Sequence, residues 1–188
     1  MEIGEHAEHT EPSVNEIDQY LEYPLNGEEI TDVNPGAKMI PYTDLNQIKN
    51  IDDLFVDTNR CIILYLLQSE TSGHWTCLWR IGTRYYFFDS YGQPTDIHLD
   101  KLGKTKRKQL DVEQDKLRQL LKGRRVTYNN VCLQDPRTQT CGMHVTARLH
   151  WWDISDEEYI NRLIKTCRQS GLTPDQLVAR YYLLLTTE

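Results

Sequence analysis

Cys141, followed at once by Gly142, opens an apolar-periodic run from Val145 to Trp152 whose spacing predicts a largely buried helix. A thiol at a helix N-terminus faces unpaired backbone N–H groups and the positive end of the helix dipole, and both favour a thiolate. A cysteine by itself is more often a small buried hydrophobe. Nucleophilic chemistry asks in addition for a base, a group that holds the base, and donors for the developing oxyanion. His74 and Asp89 have the right chemistry for the first two roles. Gln134, seven residues before Cys141, offers a side-chain amide as an oxyanion donor, alongside the backbone N–H of Cys141. Gly142 lets the chain turn tightly beside the thiol. His144, three residues past the cysteine and on the same helix face, is the competing base.

These residues are far apart in the chain, so strands must bring them together. Cys61 to Leu67 reads as a strand buried on both faces. A polar turn at 68–73 leads into a second strand, His74 to Ile81. After Gly82-Thr83 comes a third, Tyr85 to Asp89, rich in aromatic residues. Three consecutive strands on short turns predict an antiparallel meander. If the second and third pair through the Gly82-Thr83 turn, the start of one lies beside the end of the other, and Asp89 can hold the imidazole of His74.

The order His-Asp-Gln-Cys is carried by Gly73-His74-Trp75, by Phe88-Asp89-Ser90-Tyr91-Gly92, and by Gln134 followed by Thr140-Cys141-Gly142. It resembles the adenain/Ulp1-type cysteine proteases over roughly residues 55 to 152. The resemblance implies an α+β fold, with a mainly antiparallel central sheet flanked by helices and the catalytic cysteine at the N-terminus of a buried helix. It implies a thiol protease with His74 as general base, Asp89 as its orienting carboxylate, Gln134 in the oxyanion hole and Cys141 as nucleophile. Trp75 would wall the substrate channel beside the histidine, with Gly142 at the substrate side of the nucleophile. Within that group the seven-residue gap from Gln134 to Cys141 looks more viral, and Asp89 looks closer to the Ulp1 type. The expectation is an endopeptidase that processes viral capsid or other structural proteins during virion maturation, cutting near glycine, in the virion and host cytoplasm. The alternatives are a protease for ubiquitin-like modifiers and a catalytically idle protease-like binding module.

Composition sets the bounds. A chain of 188 residues with 39% hydrophobic and 26% charged residues has room for one domain with a real core. The longest apolar run, Cys61 to Leu67, is too short to span a bilayer, and no secretory signal pattern opens the chain, so no membrane association or export is expected. Five cysteines without a C-x-x-C pair argue against a disulfide framework or a zinc knuckle, and no metal or cofactor is expected. Cys61, Cys77, Cys132 and Cys167 read as core thiols.

The net charge of −7 is uneven: residues 1–37 hold ten acidic side chains and no Lys or Arg, leaving 18 acidic against 21 basic residues in the rest. Residues 1–27 are expected to form an acidic, partly disordered arm, and 28–188 a single protease domain. The basic run at 101–108 is a solvated loop, an anion site for a DNA or peptide activator, or a resting place for the acidic arm. Helical spacing further predicts helices over 42–55, 111–122, 155–170 and from Pro174 onward, and a fourth strand over 126–133.

Overall fold

The structure, a computed structural model, describes residues 11–67 and 73–187. Residues 68–72 of the polar turn expected at 68–73, and the first ten residues of the acidic arm, lie outside the described residues. The protein is α+β, a five-stranded mixed sheet flanked by helices, with strands in the order β1-β2-β3-β4-β5. The central three, β2 (Arg60–Leu66), β3 (Gly73–Ile81) and β4 (Arg84–Phe88), form the expected antiparallel meander. The edges differ from expectation. β1 (Lys38–Pro41) pairs parallel with β2, and β5 (Arg125–Tyr128) pairs parallel with β4. β5 is half the length of the strand expected over 126–133.

Parallel neighbours need long crossovers, and here these cover one face of the sheet. The first crossover is two short 3-10 helices, Tyr42–Gln47 and Ile51–Phe55, where one α-helix is expected from the sequence. Asn50 is extended and accepts from Asp52 N–H, which breaks the run. The second holds α3 (Ile97–Asp100), α4 (Lys104–Gln109) and α5 (Lys116–Leu120). The basic run therefore folds mainly as a short helix rather than a loop, and the helix expected over 111–122 shrinks to five residues. Leu45, Leu54, Leu99 and Leu117 pack there on Ile63, Tyr65 and Phe87.

The other face carries α6 (Cys141–His150), α7 (Asp156–Ser170) and α8 (Pro174–Thr186), all three close to expectation. Ile62, Trp75, Cys77, Trp79 and Phe88 supply the sheet side of this core. The arm joins it. α1 (Val14–Tyr20) and α2 (Gly27–Asp32) each begin with a capping box and bury Ile17 and Ile30. Glu11 pairs with Arg180, and Asp18 accepts from Gln176, so the described part of the arm lies along α8 rather than against the basic run.

Beyond β4 the chain turns at Gly92, whose φ is +68°. A Cβ there would lie 2.7 to 2.9 Å from backbone atoms of Val131. Gly92→Ala therefore combines left-handed strain with a clash against backbone. It is expected to cost about 1–3 kcal/mol, read as a lower urea midpoint at unchanged slope.

Candidate active site

Opposite residues of β3 and β4 pair as Cys77 with Phe88, so Asp89 continues the register opposite Thr76 and lies diagonal to His74 on the same face. The diagonal closes: His74 Nε2 lies 3.1 Å from Asp89 Oδ1. Both side chains are buried. Asp89 is further fixed by its neighbours. Tyr91 N–H donates to Oδ1 at 2.7 Å, Asp89 N–H donates to Asn129 Oδ1, and Asn129 Nδ2 donates back to the Asp89 carbonyl. The Tyr91 ring stacks on His74 at 5.0 Å between centroids.

With Nε2 turned to Asp89, Nδ1 is the ring nitrogen left to meet Cys141, which interacts with the ring. Burial disfavours the imidazolium, but hydrogen bonds to Asp89 and Cys141 outweigh it and raise the His74 pKa to about 10. Burial likewise disfavours the Asp89 carboxylate, yet bonds from His74 and His98 hold it below the ordinary range. The arrangement places the Cys141 thiol beside an imidazole that readily takes a proton. The other thiols contrast with it. Burial pushes Cys61 up to about 12 and Cys77 up as well, as befits packing groups. Cys132, expected in the core, is instead exposed, because β5 ends at Tyr128 and leaves it in a loop.

Cys141 is the first residue of α6, as expected, and the next eight residues are all buried. Thr140 has a side chain that normally caps a helix, but it makes no cap bond. Its Oγ1 donates to Asp175 instead. The first N–H groups of α6 are thus left uncapped beside the thiol, which is what an oxyanion or a thiolate requires.

Gln134 is buried in the loop before α6. Its Oε1 accepts from Ser90 Oγ at 2.6 Å and its Nε2 donates to the Thr138 carbonyl at 3.1 Å. The amide carries two N–H bonds, so one stays available as a donor.

The competing base, His144, has a different job. Its Nε2 lies 3.1 Å from Asp175 Oδ1, inside the packing of α6 on α8. Asp175 also accepts from Thr138 Oγ1 and from Asp135 N–H, so this pair staples the 134–140 loop in place.

Gly142 and Trp75 sit under the arm. Gly142 has an ordinary helical φ, so no tight turn is needed there. A Cβ at that position would lie 2.9 Å from Ile30 Cδ1 and 3.0 Å from Leu25 Cβ. The glycine answers to close packing of the arm rather than to a turn. Trp75 is buried too, and its indole N–H donates to the Leu25 carbonyl at 2.9 Å.

Sequence reasoning missed His98, whose Nε2 hydrogen-bonds Asp89 Oδ2. The only signal was a histidine framed by Ile97 and Leu99, which marks a buried position without a role. His74, Asp89 and His98 offer ligand atoms within 4.8 Å of one another, a set suited in type to a divalent ion. Both imidazoles already hydrogen-bond the carboxylate, so the cluster is satisfied by protons alone. A groove of about 590 Å³ between α7 and α8, lined by Trp151, Tyr159 and Tyr181 among others, contains none of His74, Asp89, Gln134 or Cys141.

No protein-family model matches the chain, and no curated protein matches it. Among solved structures it is similar to several chains. The ASFV pS273R protease matches at 16% identity and a TM-score of 0.41, over 93% of this chain and 67% of that one. The SUMO protease Ulp1 matches at 13% identity and a TM-score of 0.35, over 96% and 80%. The central domain of the uncharacterized Lpg1148 protein from Legionella pneumophila matches at 13% identity and a TM-score of 0.42, over 86% and 98%. These are distant likenesses, and the functional reading below rests on the side-chain geometry.

Proposed function

We propose that the protein is a cysteine endopeptidase with Cys141 as nucleophile and His74 as base. The observation that carries this reading is a thiol at the uncapped N-terminus of α6 beside a buried histidine that a buried carboxylate holds from behind.

In the proposed reaction the Cys141 thiolate Sγ attacks the scissile carbonyl carbon. The charge that develops on the carbonyl oxygen is met by the Cys141 N–H and the spare N–H of Gln134. Collapse breaks the C–N bond, and imidazolium Nδ1 gives its proton to the leaving amine. His74, now neutral, takes a proton from water as the water attacks the thioester. The acid product leaves and the ion pair is restored. Asp89 keeps Nε2–H pointed away from the thiol and supports the positive ring throughout.

We further propose, from the resemblance to adenain/Ulp1-type proteases that His74, Asp89, Gln134 and Cys141 carry, that the substrates are viral capsid or other structural proteins cut near glycine. The work would take place in the virion and host cytoplasm. A DNA or peptide activator would bind at residues 101–108. The test is co-expression with structural proteins of the same genome. Wild-type protein should yield shortened products whose new termini, read by mass spectrometry, lie beside glycine, and Cys141→Ala should yield none. Processing that persists in Cys141→Ala overturns the nucleophile. Labelling of Cys141 by an electrophilic probe built on a ubiquitin-like C-terminus, without capsid cleavage, moves the substrate to such modifiers.

A further inference from the structure

Asp89 is shared. One carboxylate oxygen faces His74 and the Tyr91 N–H, while the other is taken by a second imidazole, His98. The two rings lie 4.5 Å apart between centroids, and all three side chains are buried. His98 is held there by design of its loop. Asp96, in the left-handed region at φ +67°, precedes α3, and its carboxylate accepts from Tyr65 Oη and from Arg118 N–H. These bonds tie α3 to β2 and α5 and leave His98 little freedom.

We infer that His98 is a positioning residue: by donating Nε2–H to Asp89 Oδ2 it fixes the carboxylate plane so that Oδ1 stays aimed at His74. The inference rests on the reading of Cys141 and His74 as nucleophile and base. A buried carboxylate with one oxygen unpaired either turns toward another donor or takes a proton. Either change weakens its hold on the imidazolium. The titratable groups that face Asp89 are His74 from β3, His98 from α3 and Tyr91 from its own loop, with Cys141 of α6 beyond His74. Loss of the His98 bond leaves burial to raise the Asp89 carboxyl, so its support of the His74 imidazolium fails at higher pH than in the wild type.

The rate of Cys141 alkylation by iodoacetamide, followed against pH and located by mass spectrometry, tests this without a substrate. His98→Leu is expected to slow alkylation by about tenfold near pH ~6 and to move the profile toward alkaline pH, the loss of one hydrogen bond to a charged group. His98→Gln, whose amide N–H reaches the same oxygen, should stay within about threefold of wild type. A His98→Leu profile that matches wild type overturns the inference, as does His98→Gln as slow as His98→Leu. If His98→Leu does not fold, nitrogen-15 NMR of histidine-labelled wild-type protein decides: the Nε2–H form at His98 supports the role, and a bare Nε2 overturns it. His74→Ala separates the two readings. If it leaves alkylation unchanged, the nucleophile–base assignment itself fails; if it slows alkylation while His98→Leu does not, only the role of His98 falls.

Discussion

Asp89→Ala is expected to lower turnover by about 10²–10⁴-fold, with most of the loss in kcat. The carboxylate touches no substrate in the proposed reaction. It holds Nε2 of His74 at 3.1 Å and supports the ring's charge. Without it two effects combine. The ring can turn, and burial, which disfavours the imidazolium, goes unopposed from that side.

Asparagine at 89 should do less harm, for a reason specific to this site. Tyr91 N–H points at the Oδ1 position from 2.7 Å, so the amide oxygen has to take that place and the NH₂ has to face His98. His74 then keeps its tautomer and loses only the negative charge. Since charge and hydrogen bonding at Asp89 help to raise His74 to about 10, the alkaline limb of kcat/KM is expected near that pH in the wild type. It should move to lower pH in Asp89→Asn. A pH–rate profile in which the two limbs coincide rules out Asp89 as the group that supports the charge.

The second large effect concerns stability. Arg148, fully buried at the far end of α6, donates Nε to Asp156 Oδ1 at 3.0 Å and donates to the carbonyls of Trp151 and Ile154. Its guanidinium also lies over the rings of Trp79 at 4.3 Å and Tyr159 at 5.0 Å. Arg148→Ala leaves the Asp156 carboxylate and the Ile154 carbonyl without this donor, leaves the Trp151 carbonyl only its 3.4 Å bond from Ile154 N–H, and opens a gap between two aromatic rings. The expected cost is about 3–5 kcal/mol, as for removing one partner of a buried ion pair. For a domain of this size that is a fall in Tm of roughly 6–20 °C. Arg148→Lys should recover only part, since an ammonium cannot bridge three acceptors in one plane or stack on two rings. Thermal melts of the three proteins check the ranking, and a Lys variant as stable as wild type contradicts it.

Much of the site was legible because its geometry is written into strand periodicity. His74 and Asp89 fall at a strand start and a strand end joined through a short turn, and alternation puts them on one face. Cys141 was legible because the apolar run behind it has helical spacing. What resisted reading depends on contacts distant in sequence. His98 sits on a four-residue helix with no periodicity to display, and its orientation comes from Tyr65 and Arg118 through Asp96. The strand Lys38–Pro41 is too short to signal itself and exists through its parallel pairing with β2. Gly142 carried a misleading local meaning, because the sequence could not show Leu25 and Ile30 lying across it.

The staple at Asp175 makes a helix downstream of the site part of the site's own framework. Pro174–Thr186 contributes nothing that reacts in the proposed mechanism, yet its first turn grips Asp135, Thr138, Thr140 and His144 around the one loop that shapes the oxyanion donors. A ribosome emits that turn after Cys141, His74 and Asp89. Until residue 175 has left the exit tunnel and docked, a nascent chain holds its cysteine, histidine and aspartate but lacks the clasp that arranges the donors around them. Such a chain would stay inert until Asp175 docks.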